Sequence, residues 1–253
     1  MRCLGVAAIT LWGLGYPAQA VQWGQEALAL AQVLAHPYSL ATAAFQVISL
    51  HAYRREAQVV QVQTDALLTL ATTQRFPQWV AHATFWQGWI LAVQGQGVAG
   101  MAQMHKGLVA ILATGQRVAR PRYLVLLAEA MGHAGQIEEG LRLLSEALSA
   151  LEESKKGELL AEAHRIKGEL LLRQAVPDES QAVTCFQQAL AVARRQQAQS
   201  WELRAATSLA RLWQQQGKHA AAQELLAPIY AWFTEGFDTA DLQEAKALLE
   251  ALA

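Results

Sequence analysis

Cysteine is nearly absent. Cys3 and Cys185 are the only two in 253 residues, so there is no disulfide framework and no Cys-rich metal spacing. Two packed thiols in a reducing cytoplasm are the expectation. The apolar content is high, yet no stretch of about 18 residues is free of polar groups, which argues against a transmembrane helix. Charge of one sign is missing too. The formal net charge is −1 with no long basic block, so the footprint of a nucleic-acid binder is lacking. Period-two Val/Ile runs and Asn-Gly hairpin turns are absent, which leaves little room for strands.

The chemistry-bearing motifs are equally sparse. There is no G-x-x-x-x-G-K-[ST] loop to cradle phosphates and no G-x-S-x-G nucleophile elbow. The seven histidines (36, 51, 82, 105, 133, 164 and 219) are scattered and never pair at i, i+4, so no zinc site and no cofactor is expected. One literal G-x-G-x-x-G runs Gly95-Gln-Gly-Val-Ala-Gly100. No Asp or Glu follows between Gly100 and Ala128, so the ribose-binding acid of a dinucleotide fold is missing. An enzyme is not expected.

What the chain does have is Ala, Leu, Gln and Glu, all good helix formers, and a repeat. Leu11–Ala31 (LWGLGYPAQAVQWGQEALALA) returns 39 residues later as Leu50–Leu70 (LHAYRREAQVVQVQTDALLTL). A small residue followed by Leu stands at 27–28, 66–67, 107–108, 147–148 and 189–190, with a degenerate copy at 229–230. Seven residues before each pair come Ala20, Val59, Gly100, Gly140, Ala182 and Ala222. Five earlier still come Gly15, Arg54, Gly95, Gly135, Pro177 and Gly217. Glycine there suits a tight helix-to-helix turn. Each unit reads as helix A, turn, helix B and connector, and one unit cannot bury both faces alone. The fold expected is all-α: a right-handed α-solenoid of about six tetratricopeptide-like helical hairpins in a single domain, residues 1–253. The units are about 1–37, 38–77, 78–120, 121–156, 157–198 and 199–236. An amphipathic capping helix follows at about 238–252, after Gly236 and with Asp238 as its cap.

The repeat also bears on the N-terminus. Arg2, the apolar run Cys3–Leu14 and Ala18-Gln19-Ala20 resemble a secretory leader, and an exported solenoid is the reading that follows from it. A cleaved leader has no reason to match the interior of its own chain, so the first unit of a repeat is the better reading. Leu4, Val6, Ile9 and Leu11 leave that first helix little polar surface, and self-association through the N-terminal edge is expected.

The small-residue positions, the turn glycine and the Ala-Leu pair together resemble tetratricopeptide repeats. Residues 193–252 (ARRQQAQSWELRAATSLARLWQQQGKHAAAQELLAPIYAWFTEGFDTADLQEAKALLEAL) are similar to the C-terminal end of large bacterial signalling ATPases. Many of these carry adenylate/guanylate cyclase or transcription-regulator modules. The resemblance implies a cytoplasmic, non-catalytic scaffold or sensor region, with any ATPase or cyclase activity upstream of it.

Two patterns nominate a binding surface. His82, Phe85, Trp86 and Trp89 lie at i, i+3, i+4 and i+7 on one stripe of a helix A. Such a stripe is either core or an anchor pocket on a concave groove. The second position of each helix A holds Arg2, Ala41, His82, Arg122, Glu162 and Arg204, with Arg165 and Arg211 nearby. A groove lined by His82, Phe85, Trp86, Trp89, Arg122, Arg165, Arg204 and Arg211 would take an acidic protein segment with an apolar anchor. A closed pocket at the tryptophans would instead take a small molecule and make this a sensor domain.

Overall fold

The computed structural model describes residues 2–154 and 157–252, and the side chains of Arg2 and Ser154 lie outside the described residues. Thirteen α-helices run through them, with no strand among the described residues. Two compact units form: one from residues 2–11 and 19–136, the other from 12–18 with 137–252.

In the first unit the helices keep a fixed rhythm. They are α1 (Arg2–Gly13), α2 (Pro17–Val33), α3 (Pro37–Tyr53), α4 (Ala57–Thr73), α5 (Pro77–Val93) and α6 (Gly97–Ala113). A short 3₁₀ turn (Arg117–Ala119) then leads into α7 (Arg120–His133). Each helix from α2 to α6 has 17 residues and is followed by a three-residue link, so a helix starts every 20 residues. Positive φ recurs with the same step, at Gly15, Ala35, Arg55, Arg75, Gly95, Gly115 and Gly135.

The link is a Schellman ending fused to the next helix start. After α3, Arg55 (φ 64°) donates its N–H to the Ala52 carbonyl, 3.0 Å, and Glu56 donates to His51, 2.9 Å. Glu56 is at once the N-cap residue of α4. Prolines 37 and 77 occupy the first helical turn, where a missing N–H costs nothing.

This rhythm corrects the expected register. The turn sits at Arg55, not Arg54. The equivalents of Ala20 and Ala27 are Val60 and Leu67, both buried, rather than the exposed Val59 and Ala66. The step is therefore a uniform 40 residues through Gly140 and Ala147. Helix-to-helix turns and connectors are the same three-residue object.

The two kinds of helix differ in burial. Helices α3, α5 and α7 are buried around most of their circumference, whereas α4 buries one stripe, Val60, Thr64, Leu67 and Ala71. Small residues set how closely the hairpins pack. A Cβ on Gly88 would lie 2.4 Å from the Met104 backbone nitrogen, and one on Gly107 would lie 2.5 Å from that of Phe85. Helices α5 and α6 thus touch backbone to backbone.

The second unit holds α8 (Ile137–Ser154), α9 (Leu160–Leu172), α10 (Glu179–Gln196), α11 (Gln199–Gln215), α12 (His219–Ala231) and α13 (Ala240–Leu252). The period breaks at the exposed loop 173–178. Pro177 has no positive φ there, and Asp178 caps α10 by accepting the Gln181 N–H, 2.9 Å. Helix α13 starts at Ala240, two residues after the expected Asp238 cap. It buries Leu242, Ala245, Leu248 and Leu252 in a core shared with Phe186, Leu209, Leu226 and Phe233. The segment 12–18 belongs to this unit. Trp12 packs edge-on against Trp201, centroids 4.6 Å apart, and accepts a hydrogen bond at its carbonyl from Ser200 Oγ.

Candidate functional site

The eight sequence-nominated residues fall in both units. His82, Phe85, Trp86, Trp89 and Arg122 lie in the first; Arg165, Arg204 and Arg211 lie in the second. The inward-facing position of the buried helices is occupied as the repeat implied, but its side chains are tied up among themselves.

In the first unit the aromatic stripe is interior. Phe85 and Trp86 are fully buried, and His82 and Trp89 nearly so. They form the packing between helices: of the two readings the core one holds, and the open anchor pocket does not. The reason is that α5 (PQWVAHATFWQGWILAV) has no charged residue and buries most of its length between its neighbours. His82 is held at both ring nitrogens. Because Gln116 Oε1 can only accept, Nε2 carries the proton and donates to it, 3.1 Å. Nδ1 then accepts from the Tyr123 hydroxyl, 2.6 Å. Burial, with help from the Arg122 charge, overrides the Gln116 bond and pulls the His82 pKa down to about 4. The ring is neutral at pH 7.

Around His82 lies a larger ring cluster that the sequence reading missed. Phe45 is 4.7 Å from His82 and 5.5 Å from Trp79, and Tyr38 is 5.8 Å from Trp79 and 5.5 Å from Phe76. Arg122 reaches from α7 to two rings of α3, Phe45 at 5.8 Å and Tyr53 at 5.3 Å. This cluster comes to the surface: Tyr38 is 45% exposed, and Phe45, Phe76 and Arg122 are half-buried. The result is an aromatic ledge over a largely buried cation, the Arg122 Nε and Nη2 lying beneath it against the Phe45 and Tyr53 rings. The 40-residue step relating Tyr38 to Gln78 and Thr42 to His82 was the signal that could have located it.

Beside this ledge, α3 ends in a polar clasp. Glu56 accepts from Arg54 Nε at 2.9 Å and pairs with His51. Burial pushes the Glu56 carboxyl up, but these two partners outweigh it and hold the pKa down at about 2.

In the second unit the expected basic stripe is neutralised. Arg165 pairs with Glu162 through Nε and Nη2, both 2.8 Å. Arg204 pairs with Glu162 at 3.2 Å and with Asp241 at 2.9 Å, and its guanidinium covers Trp12 and Trp201. Glu162 is buried, which raises its pKa, and the two arginines bring it below the ordinary carboxylate range. Arg211 lies 3.8 Å from Glu244 at the surface. These cations tie α9, α11 and α13 together; they do not present a positive face. The sequence reading gave Glu162 a place in the pattern but missed Asp241, which stands 37 residues from Arg204.

Among the described residues no group of three His, Cys, Asp or Glu is placed to hold a metal, and no helix is long and apolar enough to cross a membrane.

No family model matches the chain. It is similar to an uncharacterized protein of Rhizobium meliloti (strain 1021), 25% identical over 180 residues. The match covers 71% of this chain and only 17% of that protein.

Proposed function

We propose that this chain is a non-catalytic, cytoplasmic interaction module of a bacterial signal-transduction protein, and that it binds a segment of another protein on the aromatic ledge of its first unit. The observation that carries the reading is the ledge itself. Tyr38, Phe45 and Phe76 offer rigid ring area to solvent, and the Arg122 guanidinium lies against the Phe45 ring; Tyr and Arg are enriched at binding hot spots. A segment with an apolar anchor and a neighbouring acid fits this chemistry. The 40-residue helical hairpins support the tetratricopeptide-like resemblance. The similarity to a stretch within a much longer protein fits a module that works beside other domains, an ATPase or cyclase among the candidates.

Screening a displayed peptide library tests it, with hits measured by fluorescence anisotropy. Acidic, aromatic- or leucine-containing peptides are expected to saturate the protein. Tyr38→Ala and Arg122→Gln are each expected to weaken them about tenfold or more. A library that yields no saturable binder, or binders indifferent to both substitutions, refutes the reading.

A second reading, a small-molecule sensor, is favoured by one detail. The indole N–H groups of Trp79 and Trp86 are buried with no acceptor among the described residues, and buried donors normally have partners. A compound that raises the melting temperature of the parent but not of Trp79→Phe would support it.

A further inference from the structure

The links of the first unit alternate between two edges. Gln94, at the end of α5, bonds to Gln61 in the first turns of α4, 3.2 Å, so these neighbouring helices run opposite ways. The links after α2, α4 and α6 therefore share an edge with the starts of α3, α5 and α7. Contacts along that edge bear this out: Gln78 donates to the Tyr38 hydroxyl, and Gln116 accepts from His82, 3.1 Å.

Two exposed arginines stand on this edge, Arg75 before α5 and Arg117 before α7. Neither guanidinium is in an ion pair or hydrogen bond with a described residue. Each has an apolar neighbour. Phe76, a ring of the ledge, follows Arg75, and Val118, 87% exposed, follows Arg117. No anion answers them: from Ala66 to Ala128 the chain has five Lys and Arg and no Asp or Glu. Helices α5 and α7 begin here with no acid in the first turn and no side-chain cap, so their positive ends add to the same field. The opposite edge differs. There Glu56 holds Arg54 and His51, and the links 94–96 and 134–136 are uncharged.

We infer that this edge reads the acidic residues of the segment bound on the ledge, and that Arg75 and Arg117 set the preference. The inference rests on the ledge reading and gives it a direction. The anchor lies on Tyr38, Phe45 and Phe76, and the acids run along the links toward Val118. Arg122 lies beneath the rings, whereas Arg75 and Arg117 reach solvent and lose no existing partner when they pair with a carboxylate. Helices α5 and α7 meet through the His82–Tyr123 bond, which puts the links before them about one helix spacing apart, roughly 8–10 Å. An extended chain covers that distance in about three residues, so acids at that spacing meet both arginines.

Two labelled peptides test it by fluorescence anisotropy: Leu-Trp followed by a run of glutamates, and its twin with glutamines. At about 20 mM salt the acidic peptide is expected to bind at least about fivefold tighter than the twin. Arg75→Gln and Arg117→Gln are each expected to remove about half of that advantage, and about 300 mM salt to remove most of it. Both side chains are exposed, so the variants keep the parent melting curve, which separates loss of contact from loss of fold. Equal binding of the two peptides, or an advantage unchanged in the double variant, overturns the inference; the ledge reading survives if Tyr38→Ala still weakens both peptides. An advantage lost in the arginine variants but indifferent to Tyr38→Ala supports the arginines and refutes the ledge. Binding of neither peptide overturns both. A single-stranded DNA oligonucleotide that binds the parent more tightly than the acidic peptide does, but not the double variant, also overturns the inference by giving the edge to nucleic acid.

Discussion

His82 is neutral because it is buried, and that makes it a source of acid sensitivity. Its folded pKa of about 4 lies below its ordinary 6.5. Between these values the unfolded chain binds a proton that the folded one refuses, so stability is full above pH 6.5 and falls as pH drops toward 4. The loss amounts to about 3 kcal/mol at most. Glu56 adds a second, lower window, from about 4.5 down to about 2, in which its pairing with His51 and Arg54 is lost. Chemical denaturation at pH 7 and pH 4.5 is expected to show a smaller pH dependence for His82→Gln than for the parent. An equal dependence in both proteins would remove His82 from the account. In the second unit, Glu162 is buried, and Glu162→Gln leaves the half-buried Arg165 and Arg204 with one anion fewer. It is expected to cost about 3–5 kcal/mol, the penalty for breaking a buried pair, read as a lower denaturation midpoint. The inward position of these residues was legible in their recurrence along the chain. Their partners were not. Asp241 and Tyr123 lie 37 and 41 residues from the groups they bind, and no local pattern links such pairs.

The helix-link element was legible where glycine marked it and misread where glycine was missing. Gly15, Gly95 and Gly135 gave the turn to the residue. In the second hairpin the left-handed position is filled by Arg55, and without a glycine the register slid by one, carrying Val59 and Ala66 into places that belong to Val60 and Leu67. Ala35 and Arg75 hid the same turn after α2 and α4, so a 20-residue half-period passed for a 40-residue unit with two kinds of joint. These substitutions leave a measurable trace. Ala35 sits at φ 47°, where a Cβ costs about 1–2 kcal/mol, partly offset by the unfolded-state entropy of glycine. Ala35→Gly is therefore expected to stabilise by roughly 0.5–1 kcal/mol. The converse change, Gly95→Ala, is expected to cost about 1 kcal/mol. A Cβ there meets nothing within 4 Å, so the effect is backbone alone. Urea midpoints of the two variants moving in the same direction would contradict the fused-link description.

At the scale of the whole molecule, the alternation of enclosed and one-faced helices gives the first unit a parity. Excising residues 57–96 removes one enclosed and one outer helix and leaves α3 followed by α6, an outer helix, as before. That protein is expected to keep a cooperative melt and helical circular dichroism. Excising 57–76 puts α5, which has no charged residue and is largely buried, where a helix with a wet face must stand, and aggregation or a broad melt is expected. All-helical architecture could be read from composition and recurrence; this parity could not, because it lies in which helices are surrounded rather than in their propensity. The links between them carry a mechanical consequence. Each ends one helix and starts the next with no residue to spare, so there is no slack segment to act as a hinge. A load on the first unit must be taken up as small rotations at every helix interface together. It should respond as an elastic body, with a stiffness set by side-chain packing and not by joints.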